Sequence, residues 1–184
     1  MHYTICDYLT DIVQNSVEAK ASLIFVDFKE DEQFIEVSVS DNGQGMDQET
    51  LTKVIDPFYS SKTALRRRKV GLGLPFLAQA TAGCDGKFEI KSDQQVGTSV
   101  FFSFSREHID LPPVGNLVSC FLSLFGFEPN SYDLVIKHSV KNAHYTLTKS
   151  ELETQLGSLL AAEALWAIKK QITNFEKQII NGGK

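Results

Sequence analysis

The chain has 184 residues, 42% of them hydrophobic, with 18 Lys plus Arg against 23 Asp plus Glu for a net charge of −5. That length suits one domain, or one domain with a small appendage, and the mildly acidic balance argues against nonspecific nucleic-acid binding, which rests on clustered positive charge. No apolar run approaches the roughly 20 residues that span a bilayer, and the start Met1-His2-Tyr3-Thr4 lacks the basic and apolar regions of a signal peptide, so the expected location is the cytoplasm, with no membrane partner.

Along the chain, Ile5, Leu9, Ile12, Val13 and Val17 recur at helical spacing and predict a helix over 4–20. Residues 22–29 and 34–41 alternate as strands do, with a polar hairpin turn at Glu30-Asp31-Glu32. A glycine-rich loop at 41–46 leads into a short helix at 47–54. Residues 56–70 show no periodicity and carry Arg66, Arg67, Arg68 and Lys69. A helix over 72–82 opens after glycines and stops at Gly83. Strands follow at 86–92 and 96–105. The composition changes at 106–113, where Pro112-Pro113 marks a boundary or a stiff connector. Beyond it come an apolar helix at 114–125, strands at 132–139 and 143–148, and helical pattern over 151–180, broken near Gly157. The odd, widely spaced Cys6, Cys84 and Cys120 read as reduced packing cysteines. The four histidines, His2, His108, His138 and His144, read as surface or strand residues.

Four segments carry chemistry. In the first helix Asp7, Asp11, Asn15 and Glu18 are spaced four, four and three residues apart and share one face. Carboxylates and an amide on one face suit Mg²⁺, a hard ion that takes oxygen ligands and leaves positions for phosphates and water. The second segment is Asp41-Asn42-Gly43-Gln44-Gly45-Met46, directly after a strand. Its glycines permit close backbone approach, and its aspartate is placed to accept a charge-assisted hydrogen bond from an adenine amino group. The third, Asp56-Pro57-Phe58-Tyr59-Ser60-Ser61-Lys62, precedes the irregular basic stretch, which is placed to close over a nucleotide as a lid with the lysine on phosphate. The fourth is Val70-Gly71-Leu72-Gly73-Leu74-Pro75, where glycines opening a helix leave N–H groups free for phosphate oxygens. No P-loop pattern is present.

The order of these segments, with Gly97-Thr98-Ser99 opening a last strand, resembles the GHKL superfamily of gyrase, heat-shock chaperone, histidine kinases and MutL. The resemblance covers about residues 4–105. It implies a Bergerat fold, an α+β two-layer α/β sandwich with helices on one face of a mixed sheet, here with a small C-terminal α/β appendage. It implies ATP and Mg²⁺ as cofactors, with Asn15 on the metal. It places Glu18, Asp41, Gly43, Gly45, Met46, Phe58, Ser61, Lys62, Val70, Gly71, Leu72, Gly73, Leu74 and Thr98 around the nucleotide. The stretch from Pro57 to Lys62 followed by Gly-Leu-Gly-Leu looks most like histidine kinases, and Asn15-Ser16-Val17-Glu18-Ala19 looks closer to MutL. Where the family has a glutamate as general base, four residues before the Asn, this chain has Asp11, one methylene shorter.

A sensor kinase also carries a dimerisation helix with a phosphoacceptor histidine, and about fourteen residues precede Asn15 here, so that helix is not expected. The expected organisation is a nucleotide-binding domain at 1–106 and a small α/β domain at 107–184. The expected function is a stand-alone Mg-ATP-binding protein, a slow ATPase or a nucleotide-dependent regulatory switch. The alternatives are an anti-sigma-type serine kinase acting on a separate protein and a MutL-like DNA-linked ATPase. The expected partners are the nucleotide and either a protein or a second copy of the chain. The apolar faces Leu117/Phe121/Leu124/Phe125 and Leu159/Leu160/Leu165/Trp166/Ile168 are expected as core, or as a docking surface if the appendage is too small to bury them.

Overall fold

The computed structural model of the protein describes residues 4–55, 73–128 and 131–182. In chain order it contains α1 (Ile5–Glu18), β1 (Leu23–Glu30), β2 (Phe34–Asp41), α2 (Gln48–Ile55), α3 (Gly73–Ala82), β3 (Phe88–Asp93), β4 (Gly97–Ser105), α4 (Leu117–Leu124), β5 (Asp133–Val140), β6 (Ala143–Thr148), α5 (Lys149–Leu156) and α6 (Ala162–Gly182). Six strands form one sheet in the order β3-β4-β2-β1-β5-β6. Every neighbouring pair is antiparallel except β1 and β5, which run parallel, so the sheet is mixed.

The period of two in the strands decides which face is covered. Ile24, Val26 and Phe28 of β1 are buried, while Leu23 and Phe25 are 47% and 39% exposed. Register carries that parity across the sheet. One cross-strand row reads Phe102, Val37, Phe28 and His138, and His138 in turn pairs Tyr145; the next reads Val100, Val39, Val26, Ile136 and Leu147. Ile5, Leu9 and Val13 of α1, Leu77 of α3, Phe121 and Leu124 of α4, and Ile168 and Ile172 of α6 join these rows in one core. Helices therefore layer one face and leave the other open, the two-layer sandwich expected from the sequence.

Local chemistry sets the element ends. Asp31 Oδ1 accepts the Gln33 and Phe34 N–H groups at 2.7 Å each and closes the β1–β2 hairpin. At the start of α1 the Thr4 hydroxyl accepts the Asp7 N–H at 3.1 Å, and Asp7 Oδ2 accepts the Thr4 N–H at 2.8 Å, a reciprocal cap. Two further N–H groups of that first turn have no helical acceptor. Ile5 and Cys6 donate them to the Pro113 and Val114 carbonyls, each at 3.0 Å. The proline connector thus holds the N-terminus of α1.

The residues after 108 extend the same sheet by two strands and share its core. Their attachment is polar as well as apolar. His138, on β5, is fully buried, where histidines are on average intermediate in burial. Its Nδ1 lies 2.8 Å from Glu176 on α6 and its Nε2 lies 3.2 Å from Glu30 on β1. The Tyr145 hydroxyl of β6 donates to the same Glu176 oxygen, and Arg106 pairs with Glu30. Phe28 and Phe121 meet the imidazole edge to face. Burial opposes a charge on this ring, but the two carboxylates prevail and raise its pKa above 6.5. Of the apolar faces read from the sequence, Phe121, Leu124, Phe125, Leu159 and Ile168 are buried, whereas Leu160 and Trp166 are 51% and 66% exposed. Cys6, Cys84 and Cys120 are free and buried. No helix among the described residues is long and apolar enough to cross a membrane.

Candidate functional site

A cavity of about 320 Å³ opens between α1, the end of β2 with its glycine loop, α2, α3 and the β3–β4 hairpin. That volume is at the lower end of ordinary small-molecule sites. Its apolar walls come from Ile12, Val39, Met46, Leu74, Ile90 and Val100. Asn15, Ser16, Glu18, Asp41 and Thr98 supply polar groups. Ser16, Asp41 and Thr98 are joined by hydrogen bonds into one polar end, and an apolar slot with such an end suits a flat heteroaromatic base.

Asp41 is the most elaborated of these groups. It ends β2, at the point where alternation would turn its side chain toward the covered face. Oδ2 accepts the Ser16 hydroxyl at 2.7 Å. Oδ1 accepts the Gly43 N–H at 2.8 Å and the Thr98 N–H at 3.3 Å. An ionised carboxylate has about four lone-pair positions, and three are taken by described residues. The remaining one belongs to an oxygen whose residue lines the cavity, so Asp41 offers an acceptor there.

The loop after Asp41 is held from both sides. Asn42 faces away from the cavity: its Oδ1 accepts the Ser22 and Leu23 N–H groups at 2.9 Å each. Gln44 N–H donates to the Ala19 carbonyl at 2.9 Å, and Gln95 N–H donates to the Gln44 carbonyl at 2.7 Å. Gly45 has φ +60°, and a Cβ there would overlap the Asp93 carbonyl. Only glycine satisfies both conditions. Met46 N–H donates to the Ser92 hydroxyl at 2.8 Å, which ties the loop to β3.

On α1, Ile5, Leu9, Ile12, Val13 and Val17 face the core, and Asp7, Asp11, Asn15 and Glu18 fall outside that buried stripe. Asn15 and Glu18 line the cavity, and Gln14 Nε2 donates to Glu18 at 3.1 Å. Asp11 stands one turn before Asn15, against the start of α3, where a Cβ on Gly73 would lie 2.7 Å from Asp11 Oδ2. Partial burial, reinforced by the Asp7 charge, raises the Asp11 pKa above the usual carboxylate value. A carboxylate so placed holds a proton more readily than an exposed one. The described residues contain no cluster of three or more His, Cys, Asp or Glu able to hold a metal. An amide and carboxylates along α1 are nonetheless hard oxygen donors of the kind Mg²⁺ takes alongside phosphate.

Of the residues read as nucleotide-binding, Asn15, Glu18, Asp41, Gly45, Met46, Leu74 and Thr98 come together around one cavity. Gly43 supports Asp41 from the loop, and Gly73 touches Asp11. Phe58, Ser61, Lys62, Val70, Gly71 and Leu72 lie outside the described residues. Several lining residues escaped the sequence reading as site residues, among them Val39, Gln44, Ile90 and Val100, and so did two serines that hold the site. Ser16 is 3% exposed and binds Asp41; its position beside Asn15 on the helix was the available signal. Ser92 is 5% exposed and touches both Met46 and Thr98. Only the register of the β3–β4 hairpin, Ser92 opposite Thr98, places it there.

Comparison with known proteins agrees with this geometry. The family of histidine kinase-, DNA gyrase B-, and HSP90-like ATPases matches residues 4–108. Sporulation kinase C of Bacillus subtilis (strain 168) is 34% identical over 93 residues, 50% of this chain and 21% of that protein. The sensor histidine kinase YvrG of the same organism is 28% identical over 102 residues, 54% of this chain and 18% of that one. The chain thus spans about a fifth of the length of these relatives. Among solved structures, the N-terminal domain of a DNA repair protein superposes with a TM-score of 0.52 over 83% of this chain and 57% of that one, at 16% identity. At that identity the likeness is one of fold, and at 83% coverage it has to run past residue 108.

Proposed function

The chain belongs to the family of histidine kinase-, DNA gyrase B- and HSP90-like ATPases, and from that premise we propose that it is a Mg-ATP-binding protein acting as a slow ATPase or a nucleotide-dependent switch. The observation that carries this reading is Asp41, a carboxylate tethered by three donors at the polar end of an apolar-walled cavity. There it accepts the amino group of adenine, while Val39, Met46 and Val100 enclose the base. Asn15 is the ligand for Mg²⁺, with Glu18 beside it. The ion's contribution, when bound, is to neutralise phosphate charge.

Asp11 is the general base in this reading. It stands on the same face one turn from Asn15, and its raised proton affinity brings it closer to the range in which a base works at neutral pH. Residues 1–106 form the nucleotide-binding unit. Residues 107–184 carry the surface that a partner or a second copy reads. A second reading is a kinase that phosphorylates serine on a separate protein; the 34% identity to Sporulation kinase C supports phosphoryl transfer in general and does not specify serine.

Calorimetry with ATP and ADP, with and without Mg²⁺, tests the binding, and phosphate release in the same samples tests hydrolysis. We expect micromolar ATP binding and slow release that falls about 100-fold in Asp11→Ala, the lower range for loss of a general base, with ATP affinity kept within about threefold. Binding without release, joined to phosphate transfer onto an added protein, selects the kinase reading. No binding at all contradicts the proposal.

A further inference from the structure

Ser92 sits behind Thr98, outside the cavity lining, with its oxygen surrounded by three polar atoms. The Met46 N–H lies at 2.8 Å, the Gly97 carbonyl at 3.1 Å and the Thr98 hydroxyl at 2.9 Å. A serine hydroxyl has one proton and two lone pairs. An N–H only donates and a carbonyl only accepts, so Met46 takes one lone pair of Ser92 and Gly97 takes its proton. What Ser92 has left is its second lone pair. The Thr98 hydroxyl therefore donates its own proton to Ser92, and its oxygen turns lone pairs alone toward the cavity. Asp41 beside it is also an acceptor, with the Ser16 hydroxyl and two N–H groups already pointing at it.

We propose that Ser92 is a specificity-determining positioning residue: by holding the Thr98 proton it makes the polar end of the cavity acceptor-only, which selects a 6-aminopurine nucleotide over a 6-oxopurine one. The inference rests on the nucleotide-binding reading above. A 6-amino group brings two N–H donors to such a surface. A 6-oxo group sets lone pairs against lone pairs at that position, where sites built for a hydrogen bond discriminate most strongly, and only its N1–H, one ring atom away, is left to meet an acceptor. With Ser92 removed, the Thr98 hydroxyl is free to rotate its proton into the cavity and to meet an oxo group as a donor.

The experiment measures the dissociation constants of ATP and inosine triphosphate, which differ at position 6 of the base and its tautomer, on wild type, Ser92→Ala, Ser92→Thr and Thr98→Val. We expect wild type to prefer ATP by at least about 100-fold. In Ser92→Ala that ratio falls about tenfold or more, with inosine triphosphate binding more tightly than to wild type. Ser92→Thr keeps the hydroxyl and restores the ratio, a rescue that mere packing would not give. Thr98→Val lowers the ratio by weakening ATP without any gain for inosine triphosphate, and it carries the test alone if Ser92→Ala does not fold. A ratio unchanged in Ser92→Ala, or in Thr98→Val, overturns the proposal while leaving ATP binding intact. Wild type that binds neither nucleotide removes the underlying reading, and this inference with it.

Discussion

Two polar clusters hang on the same sheet, one half-buried at the end of β2 around Asp41 and one fully buried within β5 around His138, and they differ in what they leave open. The His138 cluster is closed. Both ring nitrogens have carboxylate partners, Glu176 also takes the Tyr145 hydroxyl, Glu30 also takes Arg106, and aromatic rings pack on the imidazole. The Asp41 cluster is satisfied on three sides and borders a cavity on the fourth. Both are charged and both unite distant elements, so neither charge nor burial alone marks a binding site. We propose that a preorganised acceptor with capacity left over, facing a cavity, does. The closed cluster is a joint. It links β1, β5, β6 and α6, and so fastens the C-terminal strands to the nucleotide-binding part.

The comparison breaks most visibly at His138. His138→Ala leaves Glu176 and Glu30 without their shared partner in a buried setting, and removing one member of such a set costs about 3–5 kcal/mol. Urea unfolding at pH 6 reads this loss. ATP affinity of the folded fraction stays within about twofold, because His138 is absent from the cavity lining. A loss below about 1 kcal/mol contradicts the joint assigned to this cluster.

Asp41→Asn gives the opposite pattern. The amide keeps one acceptor and the side-chain shape but puts a donor where a donor must bind. ATP affinity falls about 100-fold, close to 2.7 kcal/mol, while unfolding free energy changes by about 1 kcal/mol, the scale of one hydrogen bond. Calorimetry beside urea unfolding separates the two numbers.

The smallest of these effects is a slope with pH. The folded His138 pKa is raised above its ordinary 6.5, so the folded state binds the proton more tightly than the unfolded chain does. The stability this contributes is fully present below about pH 6.5 and is lost as pH rises through the folded value. Wild type therefore loses stability across that window relative to His138→Ala, which has no such group. Parallel unfolding curves for the two proteins from pH 6 to 9 would contradict the charged joint.

Reading from sequence succeeded where the signal was local. Ile5, Leu9, Ile12 and Val13 mark the buried stripe of α1 by spacing alone, which sets Asp11, Asn15 and Glu18 off that stripe. Asp41 ends an alternating strand, and its two glycines announce the loop beside it. Long-range pairing was not legible. Nothing in 132–139 says that this strand lies parallel to β1, because parallel neighbours share no turn. His138 consequently read as a surface or strand histidine, although its partners come from residues 108 positions before it and 38 after it. Ser92 escaped for a related reason: its role depends on a cross-strand register and on which hydroxyl holds which proton.

The most direct test of the contrast between the two clusters is the rise in unfolding temperature that saturating Mg-ATP produces in wild type, Asp41→Asn and His138→Ala. A ligand bound only to the folded state stabilises by about 2.7 kcal/mol at 100 times its dissociation constant. We predict that wild type and His138→Ala gain the same several degrees, from different starting points, and that Asp41→Asn gains almost nothing. An equal rise in Asp41→Asn, or none in His138→Ala, would contradict the assignment of binding to one cluster and of structure to the other.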